Sequence, residues 1–323
     1  MRRPLRWLHA GLMALASWAA APATAAPFAY ITNQGSHDVS VIDLDTQRVV
    51  ATVPVGRSPA GVVAASASGR VFVSNPDSKT ISVIDMRSQR VVATWPAGDG
   101  PVGIDASADG SRLYAADWYR NRLLVFDAEA GLALPPVGVG RAPAGVAAHA
   151  DGRTVFVAER DDNTIAVVDA PTQRVLARVR VGEHPFALLL DAPRQRMFAM
   201  NVLSDDVSVI DISVRESPAL LATIKVGKAP YGATLADAGR LLYVTNQHAD
   251  TVSVIDATTL QVLRTLPGFG YPEGVAAHGD RVYVVNWMDD RVSVLDAASG
   301  RTLASIPTGS NSRGFGAFIG SPP

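Results

Sequence analysis

The chain contains no cysteine in 323 residues. That absence excludes disulfides, thiolate metal sites, covalent c-type haem attachment and a cysteine-linked lipid anchor. Nor does charge of one sign dominate: 29 Lys and Arg stand against 30 Asp and Glu, a formal net charge of −1. This balance disfavours nucleic acid and anionic membrane surfaces as partners, while leaving local basic patches open. Enzyme signatures are missing too. There is no zinc-binding helix motif, no nucleophile elbow and no defensible Ser/His/Asp order. With 48% hydrophobic residues the chain can still bury a large core.

The N-terminus reads as a signal peptide over residues 1–25. Arg2, Arg3 and Arg6 form a positive start, Gly11 to Ala21 an Ala/Leu/Trp-rich stretch, and Ala23-Thr24-Ala25 a small-residue cleavage site before Ala26. Arg2-Arg3 invites a twin-arginine reading, but the residues after it fit ordinary secretion better. Cleavage leaves 26 basic against 30 acidic residues, a net charge of −4. The expectation is a soluble, monomeric periplasmic protein not inserted in the membrane, with an extracellular location as second choice.

The rest repeats. An apolar residue followed by Asp recurs at Asp43, Asp85, Asp127, Asp169, Asp211, Asp256 and Asp296, at intervals of 42, 42, 42, 42, 45 and 40 residues. That period lies in the range of propeller blades. In the unit beginning at Tyr271, strand A is rich in small residues and ends near His278. Strand B is Arg281 to Asn286, strand C is Val292 to Leu295, and strand D is Arg301 to Ile306. Each strand is short, rich in Val, Ile, Leu and Tyr, and bounded by Gly, Asp, Asn or Pro. No room remains for a helix. Residues 26–323 are therefore predicted to form a single all-β domain, a seven-bladed β-propeller of four-stranded antiparallel blades. Strand A should be innermost. The strands B–D at the start of the repeats and a last strand A at Phe315 to Ile319 should share one blade and close the ring.

The string Tyr243-Val244-Thr245-Asn246 resembles the signature of the YVTN family of β-propeller repeat proteins. Related versions are Tyr30-Ile31-Thr32-Asn33 and Val71-Phe72-Val73-Ser74-Asn75, and the companion string Thr251-Val252-Ser253-Val254-Ile255-Asp256 recurs in several units. The resemblance covers essentially all of residues 26–323. It implies the propeller fold and a scaffold used in binding, surface and cofactor-associated roles, but no particular chemistry.

Residues present in every unit should serve the fold. The seven Asp residues are expected to accept backbone hydrogen bonds in turns. In the Gly-x-x-Pro-x-Gly loops, glycine should permit unusual backbone angles. The acid pairs Asp161-Asp162, Asp205-Asp206 and Asp289-Asp290 read as solvated turns without calcium-ligand spacing.

Residues that break the repeat are the site candidates. The D–A and B–C loops emerge on one face and ring the channel mouth. Between Pro and Gly of the D–A loops, small residues give way in later units to Phe186, Tyr231, Glu273 and Phe315, with Arg57, Arg141, Tyr271 and Arg313 nearby. A lopsided mouth with one aromatic half would suit a small amphipathic ligand or a peptide tip; the competing expectation is that these aromatics plug the channel. Trp118 and Trp287 occupy equivalent B–C positions, as interface anchors or as packing over a neighbouring blade. In the B–C slot that usually holds Asn, Asp117 and Glu159 stand in adjacent units. His149 and His278 read as turn residues on the opposite face. His184, with Glu183 and Asp99, is the weak catalytic candidate, as a general base or axial ligand; a satisfied surface histidine is the competing expectation.

The leading expectation is a non-catalytic binding or scaffold protein that meets a periplasmic protein, peptide or small molecule through its loop face, with no metal site and no cofactor. The alternatives are a lactonase-like hydrolase or a redox accessory carrying an organic cofactor at the channel mouth, and a nucleic-acid or surface-binding propeller whose Arg57, Arg141, Lys228 and Arg313 form a local basic ring.

Overall fold

The computed structural model describes residues 27–323. The signal peptide reading and its cleavage site lie outside the described residues. The described chain forms seven four-stranded antiparallel sheets. Blade 1 holds Phe28–Asn33, Asp38–Asp43 and Arg48–Pro54 with the closing strand Ile319–Gly320. Blades 2 to 7 begin at Val62, Pro101, Pro143, Pro185, Pro230 and Pro272, and each runs A-B-C-D from the axis outwards.

Burial follows strand position. Strands B and C lie between neighbouring blades, so both their faces are covered; Leu241–Asn246 is buried at every residue. Strand D is the rim, and Arg48–Pro54 is largely exposed. Each strand B places one aromatic ring between blades: Tyr30, Phe72, Tyr114, Phe156, Phe198, Tyr243 and Tyr283, all buried. Removing each ring from water contributes about 1.5–3 kcal/mol. The repeated Asp residues make the expected turns. For example, Asp256 accepts the backbone N–H groups of Thr258 (2.9 Å) and Thr259 (2.8 Å).

At the axis the blades meet through glycine. A Cβ on Gly61 would lie 2.2 Å from the Val102 carbonyl oxygen, and one on Gly103 would lie 2.0 Å from that of Ala144. Gly145, Gly232, Gly274 and Gly316 face the carbonyls of Phe186, Glu273, Gly314 and Val62 in the same way, while blade 5 carries Ala187. This corrects the reason expected for these glycines. Within this slot only Gly316 has a positive φ, at 120°; the others are needed because a neighbouring backbone occupies the space of a side chain.

Closure is tighter than a single strand pairing. The segment before Ile319 bonds to two blades. Phe318 and Thr32 carbonyls accept from Tyr30 and Arg313 N–H (both 2.8 Å), and Phe315 and Ala317 carbonyls accept from Val62 and Ala64 N–H (both 2.8 Å). The regular strand is shorter than the expected Phe315 to Ile319, because Gly314 (φ 61°) and Gly316 turn the chain between these bonds.

Gly103→Ala should lose about 1–3 kcal/mol or more, since backbone must move. At this size the melting temperature should fall by roughly 2–5 °C. Gly138→Ala, where a Cβ meets nothing within 4 Å, serves as control and should melt like the parent in the same calorimetric scan.

Candidate functional site

The aromatic half of the channel mouth exists, but its rings turn on one another. Phe186 lies 4.5 Å from Tyr231 and 4.9 Å from Phe315 between ring centroids, and Tyr231 lies 5.8 Å from Phe315. All three are buried. They form a plug across the loop-face mouth, since apolar rings at a narrowing lose more water by stacking than by facing solvent. Trp118 is half-buried beside the plug, 6.3 Å from Phe186, with the Arg160 guanidinium 5.4 Å from its ring. Tyr271 stands apart. It stacks on Trp287 (5.5 Å), and its hydroxyl meets His248 Nε2 at 3.1 Å. Trp287 Nε1 donates to Gln34 Oε1 (3.2 Å) across the closure into blade 1.

A polar brace holds the plug. Arg313 Nε donates to Glu273 Oε2 (2.8 Å), and a second guanidinium nitrogen donates to the Tyr231 hydroxyl. Gln247 Nε2 donates to Glu273 Oε1 (2.7 Å). Burial pushes the Glu273 carboxyl and the Tyr231 hydroxyl up, and the Arg313 charge opposes both shifts. Burial also penalises the Arg313 charge, yet Glu273 and Tyr231 outweigh it and its pKa is raised. A buried pair like this fixes geometry more than it adds stability.

Asp117 and Glu159 are fully buried. Elsewhere the slot's Asn donates to a Ser seven residues on, as Asn246 does to Ser253 (2.9 Å). In these two blades that Ser is Leu124 or Ala166. The carboxylates take other partners: Asp117 meets Arg122 Nε (2.9 Å), and Glu159 meets Arg178 Nε (2.9 Å) and Gly140 N–H (2.7 Å).

The D–A loops are latched to the B–C loops. Ser58, Ala142, His184, Ala229, Tyr271 and Asn311 all adopt positive φ, from 48° to 55°. Their N–H groups donate to His37, Asn121, Asn163, Asp205, Asp250 and Asp290 at 2.6–3.1 Å. The acid pairs are therefore not merely solvated. Asp162 accepts Arg141 N–H and Nε–H (both 2.7 Å), and buried Asp206 accepts from Asn201 (2.8 Å) and Lys225 (2.9 Å).

His184 is half-buried and Glu183 exposed on the loop between blades 4 and 5. Asp99 lies on the loop between blades 2 and 3, where Lys79 (3.0 Å) and Arg120 pair with it and hold its carboxyl below the usual range, chiefly through the Arg120 hydrogen bond. Among the described residues no hydrogen bond joins His184 to either acid. Asp99 instead shares a surface groove of about 720 Å³ with His37, Arg57, Asp77, Tyr119 and Arg120. Arg57 there donates to the Asp77 carbonyl (3.1 Å). The basic ring expected from Arg57, Arg141, Lys228 and Arg313 does not assemble, because Arg313 is buried against Glu273 and Arg141 is neutralised by Asp162.

Beneath the plug lies a cavity of about 370 Å³ along the axis, with Phe315 among its walls. Its lining includes Asp105, which the sequence reading did not single out. The available signal was its slot: two residues after the axis glycine, other blades place Val63, Ala147, Leu189, Thr234, Ala276 and Phe318. Asp105 Oδ1 accepts Ala106 N–H and Oδ2 accepts Ala148 N–H of blade 4 (both 2.8 Å). Burial outweighs these bonds and pushes its pKa up to about 6.

A family model described as YNCE-like beta-propeller matches residues 64–152 and 137–322. No curated protein matches the chain. Among solved structures, Kuenenia stuttgartiensis hydrazine synthase is similar at 18% identity and a TM-score of 0.74, covering 88% of this chain and 99% of that one. A functionally unknown protein from Desulfotomaculum acetoxidans DSM 771 is similar at 16% identity and a TM-score of 0.77, covering 92% and 99%. At such identities these likenesses speak for the fold alone.

Two substitutions check these electrostatics. Arg313→Met strands the Glu273 carboxylate and should cost about 3–5 kcal/mol in denaturant unfolding, less at pH 5 than at pH 8 because protonation relieves the stranded charge. Asp105→Asn acts in the other direction. The ionised Asp105 is penalised in the fold above pH about 6. The penalty vanishes below about pH 4, where folded and unfolded states are both protonated. The Asn variant gives up one of the two backbone bonds at every pH, because its NH2 cannot accept, but escapes the charge penalty; its melting temperature relative to the parent should therefore be more favourable at pH 8 than at pH 4.

Proposed function

The chain belongs to the YNCE-like β-propeller family, and from that premise we propose a non-catalytic binding or scaffold protein, exported to the periplasm, that recognises a protein or peptide with its D–A/B–C loop face. The observation that carries this reading is the plug. Phe186, Tyr231 and Phe315 are consumed in packing, so the channel mouth holds no cleft and what the loop face presents is its outer surface, including the open groove beside Tyr119.

That surface is stiff below and apolar at chosen tips. The latches tie six of the seven connections to a neighbour, while the B–C tips carry Tyr119 (73% exposed), Met288 (64%) and Leu203 (57%). Tyr and Met are enriched at protein interfaces, and large apolar side chains raised above a polar surround are anchors of that kind. Trp118 and Trp287 precede Tyr119 and Met288 in the chain and are themselves packed, against Phe186 and Tyr271. The hydrolase or redox-accessory reading gains no such support, since His184 and Asp99 lie on loops two blades apart and Asp99 is already engaged.

Tyr119→Ala combined with Met288→Ala should keep the parental melting temperature, as both side chains face solvent. Immobilised, this variant should retain partners from a periplasmic extract about tenfold less than the parent, the loss of a single good anchor or more. Equal retention would move recognition off these loops.

A further inference from the structure

The axial cavity is separate from the loop face, and the plug divides the two. It is walled by strand A of blades 3 to 7 and by the closing segment. The wall is apolar: Ile104, Val146, Leu188, Leu189, Leu190, Val275 and Ile319 contribute alkyl groups, interspersed with small residues that expose backbone. One lining residue is ionisable, Asp105; one other, Thr234, has a polar side chain. Ligand pockets commonly have this composition, a mostly apolar wall with very few placed polar groups, and span about 300–1,000 Å³.

Asp105, half-buried on the cavity wall, is unlike the buried acids of this protein. Asp117, Glu159, Asp169, Asp191, Asp206 and Glu273 each have an Arg or Lys within 3.2 Å. Among the described residues Asp105 has no cationic partner. Each of its oxygens accepts a single backbone N–H, and a carboxylate oxygen can accept more than one hydrogen bond. A carboxylate that only needed to satisfy the Ala148 N–H could be a neutral hydroxyl or amide at less desolvation cost. Its charge is left over by the fold.

The geometry points to a binding site for a small organic cation in the axial cavity: a primary or secondary ammonium on Asp105, with an alkyl chain along the Leu188–Leu190 wall. An ammonium supplies the missing positive charge and up to three N–H donors. The alkyl chain replaces water against the leucine strand. An anion would meet Asp105 with like charge, and a neutral alcohol would leave that charge unmatched. Because the plug closes the loop face, the ligand enters from the side of the A–B turns.

The test uses the chain without residues 1–25, titrated calorimetrically at pH 8 with hexylammonium, hexanol and hexanoate as probes. The expected result is saturable binding of hexylammonium, at least tenfold weaker hexanol and no hexanoate. Asp105→Asn, which keeps the side chain's shape, should weaken hexylammonium at least tenfold, the scale of one charge-assisted hydrogen bond. Ala276→Leu, which adds bulk to the cavity wall, should weaken it independently of charge. The loop-face variant carrying Tyr119→Ala and Met288→Ala should bind hexylammonium like the parent, which keeps this site distinct from partner recognition. Absent hexylammonium binding, equal binding of hexanol, or an Asp105→Asn variant with parental affinity would each overturn the assignment.

Discussion

The contact on which everything else rests is a glycine Cα pressed against the carbonyl of the next blade. It recurs at Gly61, Gly103, Gly145, Gly232, Gly274 and Gly316. It sets how near the innermost strands approach and therefore how wide the axis is. From that width follow the small residues of strand A and the limited space of the cavity. The plug follows as well. Phe186 and Tyr231 come from the first residues of strand A in blades 5 and 6 and Phe315 from the closing segment, and they meet within 6 Å only because the ring is drawn in at that level.

A second theme is how little charge the loop face leaves free. The latches use the side chains of His37, Asn121, Asn163, Asp205, Asp250 and Asp290 to hold backbone in positive-φ conformations. Of the residues that could have given this face a basic character, Arg141 and Arg313 are paired with carboxylates, while Arg57 bonds a backbone carbonyl and keeps its charge and Lys228 is exposed. The connections are thus part of the frame, and variation without structural cost is confined to their tips.

The fold was legible because its signals are local and repeated. The Asp after strand C accepts a backbone N–H from residue i+3 in six of the seven units, Asp211 with its longer connection being the exception, and one string of apolar residues predicts each strand B. The side of the mouth occupied by Phe186, Tyr231 and Phe315 was legible for the same reason, as a departure from small residues at a fixed slot. Whether those rings face inward was not, because it depends on contacts between segments 45 to 129 residues apart. The Glu273–Arg313 pair joins residues 40 apart and carries no local pattern. Asp117 and Glu159 stood out as a break, but their compensation lies in Leu124, Ala166, Arg122 and Arg178, which look ordinary one at a time. Asp105 was hidden in the most monotonous strand of the repeat, where attention to glycine and alanine masked a single acid.

The buried acids of blades 3 and 4 have a historical implication. A propeller of this kind can grow by duplicating a blade, and duplicated blades begin alike. Converting an Asn-type slot to the acidic type cannot proceed in arbitrary order. Installing the acid first would strand a charge in a dry site, and losing the Ser first would strand the Asn amide. The passable route begins with the arginine, Arg122 or Arg178, which is tolerated at a half-exposed position before it has any task. The acid can then follow, and the hydroxyl becomes dispensable last. With Leu124 in place an Asn at position 117 would lack the hydroxyl its siblings use, whereas in blade 4 Thr164 still offers one, so the two blades are not equally committed to their acids.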